Sequence, residues 1–310
     1  VNSKPSVLVV GSINMDLVLK SDKVPVGGET VLGESYSYIP GGKGANQGVA
    51  AARLGAEVTF VGRVGVDTNG KELKGNLQKE GINAEFVLED AESSTGLAAI
   101  MLEETGQNRI IVIPGANMKI AKEDLQTAFE HTYDAVIVQL EIPDEIVMET
   151  CRLAKEKNIP VILDAGPAKS FPLEHLEGLE ILSPNESEAF ALTGVEVNSV
   201  ESAEKAAQML IERSNAKMIV LKMGYLGAYL YENGEGEFFP AHKVKAVDTT
   251  AAGDAFTAAL TVKYISSGDI KEAIRFANIV GAITVTQIGA QPSLPTKEEV
   301  GEFGVTLRFL

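Results

Sequence analysis

The chain is short of cysteine, histidine and basic residues, and each shortage removes a class of function. A single cysteine, Cys151, rules out an internal disulfide, and three scattered histidines, His131, His175 and His242, offer no zinc-binding spacing. The 27 basic residues are outnumbered by 43 acidic ones, for a formal charge of -16. Nucleic acids and anionic membranes are approached through basic surface, so neither is an expected partner. No apolar run is long enough to span a bilayer and no basic stretch followed by an apolar one marks export, which makes a cytoplasmic protein the expectation. There is no GxxxxGK[ST] loop. In the glycine-rich 41–47 run, Gln47 stands where a dinucleotide fingerprint would need its last glycine. Any phosphate must then be met by backbone N–H groups, a few cations and a metal. Cys151, in a helical pattern beside Ile146, Val147 and Met148, reads as a buried, inert thiol.

What is present is an alternation of strand-like and helix-like segments. Residues 6–11 (SVLVVG) form a β-branched run ending in glycine, the pattern of a buried parallel strand, and 57–61, 135–140, 161–163 and 218–222 repeat it. Helical patterns at 48–54, 70–79, 146–157, 256–264 and 270–280 predict an α/β doubly wound, mostly parallel sheet flanked by helices. Residues 16–39 and 94–112 instead alternate apolar and polar side chains about turns, the second at 104–107, and read as two hairpins of one small sheet. We expect a large domain of residues 1–13, 40–93 and 113–310 and a β-sheet lid of 14–39 and 94–112. One face of such a lid would cover a site and the other would need a partner.

The most telling stretch is 248–260, DTTAAGDAFTAAL. Small residues at a helix start leave the first backbone N–H groups uncovered, and with the helix dipole they suit an anion. Asp254, a carboxylate inside that site, suits a base for a hydroxyl that attacks phosphorus. A packing glycine followed by an ordinary first-turn acid would read the same way.

Other candidates fall where strands should end, which is where open parallel sheets bind ligands. Asn14 and Asp16 follow the first strand, and both can bond hydroxyls, although an Asx turn is an alternative. The 41–47 run offers backbone approach, the charge of Lys43 and the amide of Asn46. Glu141 and Asp164 close two strands. Asn185 and Glu188 fit a capping box, and 222–227 is a glycine-bracketed turn suited to backing a base or phosphate.

Together these motifs resemble the PfkB family of carbohydrate kinases, and within it the ribokinases. DTTAAGDAFTAAL is similar to the family's C-terminal signature, and GGKGANQ with Gly55 and Gly65 to its N-terminal one. SINMD, GGKGANQ, Glu141, the Asn185/Glu188 turn and GAQPS follow in ribokinase order over nearly the whole chain. The resemblance implies a ribokinase-like fold and ATP-dependent phosphorylation of D-ribose at its 5-hydroxyl, with Asp254 as base and Ala252, Gly253 and Asp254 as anion hole. Asn14, Asp16, Gly42, Lys43, Gly44, Ala45, Asn46 and Glu141 would surround the sugar. Asn185, Lys222, Met223, Gly224, Tyr225, Leu226, Gly227, Gly253 and Asn278 would meet ATP, and Glu188 would order Mg²⁺ through water. Asp248, Thr250, Thr284, Gln287, Gly289 and Ser293 would hold K⁺, and the lid would pair two chains as a homodimer. The chain departs from the pattern at Gly48, where Ser, Thr or Ala is usual, and at 164–167, where Asp-Ala-Gly-Pro replaces Asn-Pro-Ala-Pro. A kinase for another sugar or a nucleoside is the nearest alternative. A non-catalytic sensor would have no use for Asp254, and a dehydrogenase would need the absent fingerprint.

Overall fold

The computed structural model describes residues 4–103 and 108–306. The chain runs β1 (Ser6–Val10), β2 (Asn14–Ser21), β3 (Ser35–Gly41), α1 (Lys43–Arg53), β4 (Glu57–Gly65), α2 (Thr68–Lys79), β5 (Val87–Asp90), β6 (Gly96–Glu103) and β7 (Asn108–Ile113). It continues through α3 (Lys122–Ala128), β8 (Ala135–Gln139), α4 (Asp144–Glu156), β9 (Val161–Asp164), β10 (Leu179–Ser183), α5 (Glu186–Thr193), α6 (Val200–Ser214) and β11 (Met218–Lys222). A hairpin, β12 (Gly227–Glu232) and β13 (Glu235–Pro240), leads to α7 (Ala252–Ser267), α8 (Ile270–Thr284) and α9 (Lys297–Thr306).

Continuous apolar strands require cover on both faces, and they receive it. In β1, Val7 and Val9 belong to one core, shared with α1, α7 and α8, while Leu8 and Val10 belong to a second, shared with α3, α4 and α6. The resulting nine-stranded sheet has the order β13-β12-β11-β10-β9-β8-β1-β4-β5, antiparallel only at the β11-β12-β13 edge. From β1 the chain winds one way to β4 and β5, and from β8 the other way to β11. Such a reversal opens a crevice beyond the carboxyl ends of the strands, between β1 and β8.

The second sheet has the order β3-β2-β6-β7, with two antiparallel pairs joined by a parallel β2–β6 pair. Register puts Leu17, Leu19, Tyr36, Tyr38, Ile111 and Ile113 on the face opposite Asp16. All of these but Leu17 are exposed. The turn expected at 104–107 lies outside the described residues.

Two local expectations are corrected. Thr30, Val31 and Leu32 are not in a strand, because Gly28 takes φ 82° after Pro25 and the ladder resumes only where Glu34 N–H donates to Lys20 C=O. The first helix begins at Lys43, not at residue 48. Gly42 at φ 90° turns the chain directly into it. The helix keeps two glycines inside it because they permit contact: a methyl on Gly44 would stand 2.6 Å from Ser12 N, and one on Gly48 3.3 Å from the Phe60 ring. Tertiary packing outweighs their low helix propensity.

Candidate active site

The sugar-side candidates gather across the crevice. Ser12, just past β1, donates to Glu141 Oε2, just past β8, and Lys43 N–H reaches the same oxygen at 3.2 Å. Asn14 Nδ2 approaches it at 3.4 Å. Gly42 is pressed against this backbone, since a methyl there would lie 2.7 Å from Asn14 N. The N–H groups of Gly44 and Ala45 are bonded to Ser12 Oγ and C=O. Asp16 lies over Gly41, where a methyl would overlap its carboxylate. First burial, then the charges of Glu141 and Asp254, push Asp16 up to about 7.

Asp254 stands in the first turn of α7. The helix N-cap, Ala251, is left-handed at φ 59° and contributes no capping side chain; Ala252 N–H donates 3.3 Å to Thr249 C=O, and Gly253 follows it in the first turn. Asn46 Nδ2 donates to Asp254 Oδ2 at 2.9 Å and Gln47 Nε2 to Oδ1 at 3.3 Å, with Lys43 Nζ 3.9 Å away. Burial raises Asp254 to about 6, with Lys43 pulling down and Asp164 pushing up. Asn46 Oδ1 is buried and has no partner among the described residues, leaving an acceptor beside the carboxylate. Lys43 is drawn down by burial, but Asp164, Asp254, Glu188 and Glu141 together raise it above its ordinary range.

On the nucleotide side, Asn185 and Glu188 form the reciprocal capping box of α5, with both bonds at 2.8 Å. Glu188 Oε1, outside that box, lies 3.8 Å from Lys43 Nζ. Asn185 pairs with Lys222 as an isolated parallel bridge, so β11 ends beside the cap. Of the 222–227 turn, Met223 is buried and Tyr225 exposed. Asn278 donates to Phe239 and Pro240 C=O, and Pro240 pairs with Gly227, so α8 is tied to the same turn.

Of the cation candidates, Asp248, Thr250 and Gly289 come together. Asp248 Oδ1 accepts from Thr250 N–H and Oγ, and its Oδ2 accepts from Gly289 N–H at 2.8 Å. Asp248 N–H reaches Val285 C=O at 3.2 Å, which carries the loop to the end of α8 and to Thr284 and Gln287. Burial works against the Asp248 charge, but the Thr250 and Gly289 bonds hold its carboxyl below the usual range. Ser293 Oγ turns back to Ala290 C=O. Arg53, at the end of α1, donates to Gln291 and Leu294 C=O and pairs with Glu80, which fixes this loop from below. Among the described residues, no group of three or more His, Cys, Asp or Glu side chains is arranged to hold a metal directly.

Several participants were not singled out from sequence. Asn117, 103 residues after Asn14, is fully buried; its Nδ2 donates 2.8 Å to Asn14 Oδ1, and its amide clamps both polar groups of the Ile13 backbone. Gln47 bridges two carboxylates, Asp164 and Asp254, and accepts from Gln139 Nε2. Its place inside the glycine motif was the one available signal. Asp164, expected from sequence to close a strand, is fully buried and ends β9 against Lys222. Cys151 is buried, and burial pushes its thiol up to about 12, so it stays protonated and inert.

The sequence matches the profile "pfkB family carbohydrate kinase" over residues 4–297. It is 39% identical over 299 residues to the ribokinase of Bacillus subtilis, covering 96% of this chain and 98% of that protein. It is 33% identical over 300 residues to the deoxyribokinase of Salmonella typhi, covering 96% and 98%. Among solved structures, that of Arabidopsis thaliana ribokinase complexed with ribose and ATP superposes with a TM-score of 0.89 at 34% identity, covering 97% of this chain and 99% of that one.

Proposed function

The chain belongs to the pfkB family of carbohydrate kinases, phosphotransferases that act on a sugar hydroxyl, and from that premise we propose that it transfers the terminal phosphoryl of ATP to the 5-hydroxyl of D-ribose. The products are D-ribose 5-phosphate and ADP. The observation that carries this reading is the position of Asp254. It is buried, held by Asn46 and Gln47, and set in the open first turn of α7 between the acids that suit hydroxyls and the N–H groups that suit phosphate.

In this reading Asn14, Asp16, Glu141 and the orphan acceptor of Asn46 bind the sugar hydroxyls. Asp254 takes the proton of the reacting hydroxyl as its oxygen bonds to the γ-phosphorus. The bond from that phosphorus to the bridging oxygen breaks, and ADP leaves with the electron pair. The N–H of Gly253, and that of Ala252 once it leaves Thr249 C=O, meet the charge on the phosphoryl oxygens. The turn 222–227, Asn185 and Asn278 back the nucleotide.

Magnesium supplies charge neutralisation on the phosphates. Glu188 Oε1, which the capping box leaves over, and Asn185 would hold its waters. Potassium would fix the loop before the anion hole. One ionised carboxylate, Asp248, set among carbonyl-rich turns, suits such a hard monovalent ion.

The second sheet would act as the lid domain, and its exposed apolar face would pair two chains as a homodimer. Sedimentation at micromolar concentration should give twice the chain mass, and a fully active monomer would overturn the pairing. The substrate is tested by coupled ADP release with ribose, deoxyribose, fructose and adenosine. Ribose should show the highest kcat/KM; fructose or adenosine ahead by about tenfold or more, ~1.4 kcal/mol in transition-state binding, would overturn the assignment.

A further inference from the structure

We propose that Lys222, held in place by Asp164, presents its ammonium to the phosphoryl group in transit, an inference that rests on the kinase reading above. Lys222 ends β11 and Asp164 ends β9, one on each side of β10. The lysine is almost wholly buried and the aspartate fully so. Lys222 Nζ donates 2.9 Å to Asp164 Oδ2 and 3.4 Å to Thr257 Oγ1, one turn beyond Gly253 on α7. A methyl group on Gly253 would stand 3.8 Å from the same nitrogen. The ammonium therefore lies against the first turn of α7, within contact reach of Gly253. Two of its three protons are engaged by Asp164 and Thr257; no third acceptor bonds it among the described residues, which leaves one proton for an anion.

Charge points the same way. Five carboxylates, Asp16, Glu141, Asp164, Glu188 and Asp254, surround the site; Lys43 lies 3.8 Å from Glu188 and 3.9 Å from Asp254, and Lys222 pairs with Asp164. A triphosphate entering this acidic crevice needs both. Burial would raise Asp164, yet Lys222, then Lys43, hold it below the usual carboxylate range, so its carboxylate stays charged in the folded protein. A buried ion pair is weak as a source of stability compared with apolar packing, which leaves the presence of one here to be explained by function. Asp164 also accepts from Gln47 Nε2 at 3.0 Å, so one carboxylate positions both the lysine and the amide that holds the base. Lys222 neither gains nor loses a proton in the transfer.

The test separates charge from packing. Lys222→Met and Asp164→Asn each strand one buried charge and should each lower the melting temperature. The double variant D164N/K222M removes both charges and should recover most of that loss. Its kcat should nevertheless stay at least about tenfold below that of Asp164→Asn, which shares any loss through Gln47 but keeps the cation, with KM for ribose within about twofold of the parent, because the missing cation acts on the phosphoryl and not on the sugar. A double variant that turns over within about twofold of Asp164→Asn would make the pair a piece of scaffold and overturn the proposal. Lys222→Arg is the second arm, since it keeps the charge. It should retain at least about fivefold more turnover than Lys222→Met, and equal loss in the two would also overturn the proposal. Should the panel favour another sugar, the same ratios are read on that sugar, so the substrate reading and the lysine fail separately.

Discussion

Asp16 and Asp164 are both buried aspartates near Asp254, and the protein moves them in opposite directions. Asp16 faces Glu141 and Asp254, and burial with those charges pushes it up to about 7. Asp164 is buried more completely, yet Lys222 and Lys43 hold it below the ordinary range. Burial alone does not decide the charge of a carboxylate; its nearest partner does. The Asp16 side of the crevice, the proposed sugar side, is thus rich in acceptors and suits neutral hydroxyls. The phosphoryl side is balanced by lysines and by a helix N-terminus and suits an anion.

The sharpest way to probe that division is at its border. Asp254→Asn removes the base and leaves both sides in place, so kcat should fall at least about 10²-fold with ribose affinity little changed. Because Asp254 sits at about 6 in the ligand-free protein and must be ionised to accept a proton, the parent's kcat/KM should also drop about tenfold per pH unit below that value. The Asn variant should lack this acid limb. Near wild-type turnover would reduce Asp254 to a helix-start acid.

Asp16→Ala tests the sugar side alone. Losing buried hydrogen bonds of this kind costs ~1 to 3 kcal/mol, so ribose affinity should weaken roughly 5- to 150-fold by calorimetry while ATP affinity holds. Equal weakening toward both ligands would mean that the two sides are not separate.

A smaller effect is expected from the loop that carries the anion hole. Exchanging Na⁺ or Tris for K⁺ at constant ionic strength should raise turnover several-fold, and Asp248→Ala should abolish the response. The bound is about 3 to 4 kcal/mol, the loss when one preorganised donor is removed. Identical rates with and without K⁺, in protein shown to be free of it, would leave 289–293 as a plain turn.

The smallest expected change is in stability, and its sign follows from linkage. The folded state raises Asp16 from 3.8 to about 7, so it binds that proton more tightly than the unfolded chain does. The associated stability is complete below pH 3.8 and is lost as pH rises through about 7. Asp16→Asn, which cannot ionise, should therefore raise the melting temperature by at least about 4 °C at pH 8 and by less at pH 5. The same shift at both values would mean that Asp16 is not carrying its charge at a cost.

Much of the site was legible along the chain. Ala251, Ala252 and Gly253 before Asp254 announce an uncovered helix start, and the helix does begin at Ala252. Asn14 and Asp16 follow a β-branched run that proves to be a central strand. The Asn185/Glu188 spacing read as a capping box and is one. The start of α1 was misplaced, because a run of glycines looks like loop until Ser12 and Phe60 are seen to pack against it. Asn117 was invisible, since a lone amide in a polar stretch has no local signature, and its partners lie 103 and 104 residues away.

The sequence by itself determined the class of fold, the alternation that buries the large sheet on both faces, and which short motifs carry acids and small residues. These depend on side-chain period and backbone sterics, which act over a few residues. Only the tertiary structure decided which charges meet. Asp164 and Lys222 are 58 residues apart in the chain, and they touch because β9 and β11 flank β10. Gln47 reaches both Asp164 and Asp254 because α1 packs beside α7. Ion pairing and pKa follow distance and burial, and those are properties of strand order and helix packing that no local stretch encodes.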